Sequence, residues 1–266
     1  MNIFMFKSLI FVMLLMVSFA FISCEKKNDN VIDPSYDSPV IINVSKSTDT
    51  VSTTSASPNI SFDLTVVANE NNGSPIASVN CVLVDPLGSS LGSFALNFVQ
   101  EVSNGKQYSK NVSASGISCL IVGNYTIQVV AKNEAGLLSS QVNLPLYVRN
   151  SANTPPSISN LAIPDSVVRP VSGYFDITLY AQAIDPDGNC DIKEVYFFAY
   201  RPSGFIIPGG SIPMTLNPSG SWSLTNPVTP AVPDSLYGYY KYQFFAKDRS
   251  DAVSTGVWDS IKFVRP

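Results

Sequence analysis

Apolar residues recur at every second position along most of this chain. Ile60, Phe62, Leu64 and Val66 alternate with Ser61, Asp63 and Thr65, and Tyr125, Ile127, Val129 and Ala131 alternate with Asn124, Thr126 and Gln128. Later, Tyr240, Tyr242, Phe244 and Ala246 alternate with Tyr239, Lys241, Gln243 and Phe245. A period of two belongs to a strand with one buried face, because successive side chains point to opposite sides of a sheet. Beyond Cys24 no long stretch shows the 3.6-residue period of an amphipathic helix. Gly- and Pro-rich punctuation separates the apolar runs, as short strands joined by turns require. The pattern predicts an all-β protein built of antiparallel sheets that each bury one face.

The strand pattern occurs twice, at a spacing of about 115 residues. Phe62-Asp63-Leu64-Thr65 is matched to Phe175-Asp176-Ile177-Thr178, and Ile76 and Val79 to Ile192 and Val195. Asp85-Pro86-Leu87-Gly88 corresponds to Arg201-Pro202-Ser203-Gly204, and Tyr108-Ser109 to Trp222-Ser223. Gly123-Asn124-Tyr125 and Ala131-Lys132-Asn133 return as Gly238-Tyr239-Tyr240 and Ala246-Lys247-Asp248. Two copies make a tandem pair rather than a solenoid. The expected organisation is a first sandwich over residues 39–149 and a second over 157–266, with about seven strands per copy. A Pro-containing linker, 150–156, joins them in an extended, semi-rigid form.

One run breaks the alternation. After Lys7 the residues from Ser8 to Ser23 are almost wholly apolar and end at Cys24. A charged start, a short apolar stretch and a small residue at the cut form the layout of a secretory signal. The Ser23-Cys24 junction resembles the lipobox of bacterial lipoproteins. That resemblance implies removal of residues 1–23, lipidation of Cys24 with palmitate or a related acyl chain, and a membrane anchor in the cell envelope. Glu25-Lys26-Lys27-Asn28-Asp29 resembles the charged export stretch of some Gram-negative surface lipoproteins, which implies the outer membrane and its exposed face. Residues 24–38 are then a tether. An ordinary secretory signal and an uncleaved anchor are the alternatives, the run lying near the lower limit of about 20 residues for a span.

Composition narrows the chemistry. The chain has 266 residues, a net charge of −4 and only 14% charged residues, which argues against a phosphate-binding basic face and so against nucleic acid. It contains no histidine, so Ser-His-Asp and Cys-His activation and every His-ligated metal site are excluded. Beyond Cys24 lie Cys81, Cys119 and Cys190, with no CxxC spacing for zinc or redox work. Two readings stand: a Cys81–Cys119 bridge inside the first copy, or separate buried thiols. Glu70, Glu101, Glu134 and Glu194 fall on expected loops or strand surfaces, and two small sandwiches are expected to offer no large cleft for the facing carboxylates a glycosidase needs. The chain is therefore read as non-enzymatic.

The run Gly-x-Tyr-x-apolar-x-apolar-x-Ala-x-Asn/Asp, ending each copy's penultimate strand, resembles bacterial immunoglobulin-like, cadherin-like and fibronectin-III-like modules. Ala181 to Gly188 followed by Ile192 to Phe197 is similar to their B-strand, turn and C-strand. The resemblance implies tandem immunoglobulin-like β-sandwiches, with Tyr125 and Tyr240 as tyrosine corners whose hydroxyls return to nearby backbone. It identifies a fold rather than a function, since this sandwich hosts many unrelated ones.

Two candidate sites remain. Asp185, Asp187, Asn189 and Asp191 alternate through an acidic turn and offer oxygens to a hard cation such as calcium. Asp248 and Asp251, after the penultimate strand, are expected at the same end. The competing reading is a solvated Asp-Pro-Asp-Gly turn, and no other cofactor is expected. The second site is a stripe of aromatics. If Val195, Phe197 and Ala199 face the core, then Tyr196, Phe198 and Tyr200 face outward, joined by Tyr239 and Phe245 from the neighbouring strand. Such a face suits a protein or sugar partner; alternatively it is covered by the first sandwich or by residues 204–214. Trp222 is expected in the core, and Trp258 has no counterpart in the first copy. The sequence thus favours a lipid-anchored adhesion or surface-assembly module, the alternative being a glycan-binding accessory lipoprotein of a nutrient-uptake system.

Overall fold

The computed structural model describes residues 36–230 and 236–266. Cys24, the signal segment and most of the tether lie outside them. The first sandwich comprises β1 (Val40–Lys46), β2 (Thr50–Thr53), β3 (Asn59–Asn69), β4 (Ile76–Val84), β5 (Ser90–Ala95), β6 (Asn97–Val102), β7 (Gly105–Ser115), β8 (Gly123–Asn133) and β9 (Val142–Asn150). The second comprises β10 (Ser157–Ala162), β11 (Ser166–Val168), β12 (Phe175–Ile184), β13 (Ile192–Tyr200), β14 (Ile212–Pro213), β15 (Thr215–Leu216), β16 (Trp222–Val228), β17 (Gly238–Asp248) and β18 (Val257–Val264). No α-helix occurs among the described residues, and a 3-10 turn spans Asn189–Asp191.

Both copies share one topology. Sheets β1-β3-β7-β6 and β2-β9-β8-β4-β5 form the first sandwich, and β10-β12-β16-β15 and β11-β18-β17-β13-β14 the second. This is the two-sheet order of an immunoglobulin-like domain. The strand count exceeds the expected seven because the first strand of each copy divides between the sheets and short edge strands are added. Its second half pairs parallel to the last strand, Val51 with Val148 and Val167 with Phe263, so neither sandwich is wholly antiparallel.

Alternation becomes burial along the strands, its parity changing in β13 at the register shift between Ile192 and Glu194. Ile60, Phe62, Leu64, Val66 and Ala68 of β3 fill one core with Val79, Cys81 and Leu83 of β4 and Ile127, Val129 and Ala131 of β8. Leu179, Ala181, Val195, Phe197, Ala199, Phe244 and Ala246 fill the other. Phe197, fully buried, packs against Phe244 at a centroid distance of 5.1 Å. Trp222 is buried on β16, at the place Tyr108 holds on β7: Ala181 pairs with Trp222 as Val66 pairs with Tyr108.

That pairing corrects one sequence match. Val66 and Ala181 are equivalent, so Leu64 corresponds to Leu179 and Phe62 to Ile177, two residues from the Phe175 that the shared Phe-Asp-apolar-Thr run suggests. Phe62 is in the core, whereas Phe175 opens β12 and is exposed. A two-residue slip preserves which face each side chain takes, so periodicity alone could not reveal it.

Both tyrosine corners form. Tyr125 Oη donates to the Ile121 carbonyl at 2.8 Å, and Tyr240 Oη to Leu236 at 3.3 Å. Burial pushes the Tyr125 phenol up to about 12. The loop after each corner strand is also duplicated: Leu137 N–H donates to Asn133 Oδ1 and Ala252 N–H to Asp248 Oδ1, both at 2.8 Å. Removing the hydroxyl with Tyr125→Phe leaves a buried carbonyl without its donor. It should cost about 1–3 kcal/mol by urea unfolding, with an unchanged far-ultraviolet spectrum. Tyr240→Phe, whose bond is longer, should cost less.

Candidate functional site

The two sandwiches meet end to end, and the acidic turn of the second enters the end of the first. Cys119, in the loop between β7 and β8, forms a disulfide with Cys190 in that turn. The expected alternative of a Cys81–Cys119 bridge is not what forms. Cys81 points into the first core from the middle of β4, opposite Val129, while Cys119 sits at the end of the sandwich. Burial raises the Cys81 thiol to about 11. Gly188 lies at φ 115°, and a Cβ there would stand 2.5 Å from Cys119 Sγ, so glycine meets both a backbone and a packing demand.

Hydrogen bonds fix the same seam. Asp187, expected as a metal ligand, instead joins three segments: Ser55 Oγ donates to its Oδ1 and Thr154 N–H to its Oδ2, each at 2.5 Å. Asn189 turns back to accept Asp185 N–H at 3.0 Å. Ser151 N–H and Oγ both donate to the Thr53 carbonyl at 2.8 and 2.9 Å. Asn153 Nδ2 reaches Asp248 at 2.7 Å. The linker is pinned to a sandwich on each side.

The residues that converge are Asp185, Asp191 and Asp248, each buried, with one oxygen from each lying within 4.8 Å of the others. The turn positions the first two and the end of β17 the third. Backbone N–H groups hold one oxygen of every carboxylate: Asp187 N on Asp185 at 2.8 Å, Val122 N of the first sandwich on Asp191 at 3.2 Å, and Ala252 N on Asp248 at 2.8 Å. Desolvation pushes Asp191 up to about 6 and raises Asp185 as well, the neighbouring carboxylates adding to both. Asp251 does not join them; it pairs with Lys247 at 2.8 Å and Lys193 at 3.2 Å on the surface. Alternate spacing pointed to the turn, and Asp248, expected at the same end, is brought in by its pairing with Ile192.

The aromatic face lies on the outside of β13, β17 and β18. Tyr196 stacks on Phe245 at 5.5 Å, and Phe198 meets both edge-on at 5.9 Å. Gly256 makes room for the Phe245 ring, since a Cβ there would approach it to 2.8 Å. Tyr200 packs on Trp258 at 5.3 Å, and Tyr239 lies under Lys262. Tyr239 and Trp258 are 55% and 53% exposed, the other four rings half-buried, so the face meets solvent. Residues 204–214 run beside β13 rather than over it: Tyr200 pairs with Ile206, Ile207 N–H donates to the Ala199 carbonyl at 2.7 Å, and Tyr196 pairs with Pro213. Trp258, which sequence reasoning left without a role, borders an open hollow of about 510 Å³ with Lys241, Asp259 and Ser260. Its outward direction follows from the burial of Ile261 and Phe263 on the same strand.

No protein-family model matches the chain, and no curated protein matches it in sequence. Solved structures similar to it include the fibronectin(III)-like modules of CbhA from Clostridium thermocellum (18% identity, 84% of this chain and 95% of that one, TM-score 0.28). A chimeric titin Z1Z2-Z1Z2 tandem overlaps at 17% identity, 86% and 99% coverage and TM-score 0.29. The FN1–FN3 domains of chicken CNTN1 overlap at 10% identity, 85% and 65% coverage and TM-score 0.30. The strand order within each sandwich, not these overlaps, carries the fold assignment.

Closing the loop between cysteines 71 residues apart is worth about 4 kcal/mol of chain entropy. Cys190→Ser should therefore leave two folded sandwiches while exposing the linker at 150–156 to protease. Peptide mapping after limited digestion reads this directly; equal protection in the variant would show that the hydrogen bonds alone hold the seam.

Proposed function

We propose that the chain is a non-catalytic, lipid-anchored envelope protein that presents the outer face of its second sandwich to a partner, acting in adhesion or surface assembly. The observation that carries the reading is the solvent-facing aromatic sheet of Tyr196, Phe198, Tyr200, Tyr239, Phe245 and Trp258. Contiguous exposed apolar surface of this kind is characteristic of interaction sites, and Tyr and Phe provide contact area at low entropic cost. The equivalent face of the first sandwich carries Asn80, Val82, Val84, Asn124 and Val130, so the fold itself does not demand aromatics there. Anchoring at Cys24 would put the polar first sandwich nearer the membrane and the aromatic one farther out.

A glycan-binding role is the second reading. It is favoured by the Trp258 hollow, where an exposed indole stands beside Lys241, Asp259 and Ser260, a ring for stacking next to groups for hydroxyl hydrogen bonds.

Phe198→Ser combined with Tyr239→Ser should leave a folded chain and cost about 1–3 kcal/mol, from the two ring contacts of Phe198, whereas Phe197→Ala in the core should cost about 3–5 kcal/mol. A non-adherent host displaying the chain should gain surface attachment or cell clumping, and the double variant should lose it. Attachment that survives the double substitution sinks the adhesion reading. Glycan-array binding abolished by Trp258→Ser establishes the second one. Labelled fatty acid should be incorporated by the natural chain and not by Cys24→Ser; label retained in the variant removes the anchor.

A further inference from the structure

Only one carboxylate of the acidic cluster has a counterpart in the first sandwich: Glu70, at the place of Asp185, where it is paired with Lys106 at 2.6 Å. Ile76 pairs with Asn133 as Ile192 pairs with Asp248, which makes Asn133 equivalent to Asp248 and Pro75 equivalent to Asp191. The loops around the two positions make the same backbone bonds with a neutral amide in one case and a carboxylate in the other. The negative charge is therefore dispensable to the turn, and another demand accounts for it.

Two oxygens of the cluster identify that demand. Asp185 Oδ2 and Asp191 Oδ2 are buried and have no hydrogen-bond partner, in residues 7% and 0% exposed. Asn153 Oδ1 of the linker is also buried without a partner, while its Nδ2 rests on Asp248. No Lys or Arg among the described residues pairs with any of the three carboxylates. Arg249 is near enough to act on Asp191, but its Nε donates to the Cys190 carbonyl at 3.3 Å. Buried, unpaired carboxylates at this separation are strongly unfavourable without a counter-charge.

We propose that Asp185, Asp191 and Asp248, together with the Asn153 side-chain amide, form a calcium site that locks the two sandwiches at a fixed angle. The donors are all oxygen, which selects a hard cation over zinc or copper. Oxygens within 4.8 Å of one another fit around one ion at the 2.3–2.6 Å distances calcium takes. Magnesium demands a regular octahedron and keeps several waters, which a buried, irregular set of carboxylates suits poorly. The backbone N–H on the second oxygen of each carboxylate holds the ligands in place, and one of those donors, Val122, belongs to the first sandwich. An ion bound here is thereby tied to both sandwiches and the linker. The site is separate from the aromatic face and stands or falls independently of it.

The test is titration of the chelator-treated full chain with calcium, followed by calorimetry and thermal unfolding. One ion per chain and a saturable rise in melting temperature of about 5 °C or more at hundredfold excess over Kd are expected. Asp248→Asn installs the residue the first sandwich already tolerates, so it should fold normally and weaken binding at least tenfold. Limited proteolysis of the linker should slow on calcium addition in the natural chain and not in Asp248→Asn. Absence of binding up to about 10 mM, beyond the weak range of extracellular calcium modules, overturns the site. Unchanged affinity in a folded Asp248→Asn variant does so too. Magnesium acting at equal or lower concentration overturns the assignment to calcium.

Discussion

The arrangement of this molecule depends on burying the acidic turn of the second sandwich against the end of the first. Immunoglobulin-like domains joined by a short linker ordinarily meet through small, polar contacts that permit reorientation. Here the contact contains a disulfide, a carboxylate shared by a serine and a linker amide, and a backbone N–H of one sandwich on a carboxylate of the other. Each of these needs the others in register. Gly188 has room only because it lacks a Cβ beside Cys119, and Asp191 is fully buried where the Val122 N–H of the first sandwich reaches its carboxylate.

Much of the fold is legible in the sequence because period-two burial is local information. A residue's face follows from its parity within the strand, so Val195, Phe197 and Ala199 could be assigned inward, and Tyr196, Phe198 and Tyr200 outward, before any pairing was known. The tyrosine corners are equally local, each hydroxyl reaching a carbonyl four residues back. What the sequence did not disclose is which segments meet across long separations. The Phe-Asp-apolar-Thr match slipped by two residues, a shift that leaves parity intact. Cys119 had a partner within its own copy and another 71 residues away, and spacing does not choose between them.

The candidate sites divide along the same line. Asp185 and Asp191 belong to one turn and were visible as a pair. Asp248 enters through the register of β13 on β17, and Asn153 through the folding of the linker onto the seam. Alternate spacing within a turn was a poor guide to convergence, since a turn reverses direction within a few residues. Asp187 and Asn189 accordingly point to a neighbouring sandwich and to the turn's own backbone. Trp258 was unreadable for a different reason: its strand has a regular inward face in Ile261 and Phe263, but nothing in the first copy marks the outward position as aromatic.

The seam and the aromatic face are built on the same two strands. β13 leaves the junction at Ile192 and carries Tyr196, Phe198 and Tyr200 outward along its length; β17 runs back through Tyr239 and Phe245 to Asp248. Tyr196 stacks on Phe245 only a few residues from the Ile192–Asp248 pair that opens the acidic cluster, with Lys247 held between Glu194 and Asp251 on the way. Duplication alone supplies two such strand pairs, but the first copy has a Lys106-paired Glu70, Asn133 and Pro75 at the cluster positions and no aromatic stripe. The buried carboxylates of the seam and the exposed rings therefore occur together in the second copy, at opposite stretches of the same two strands.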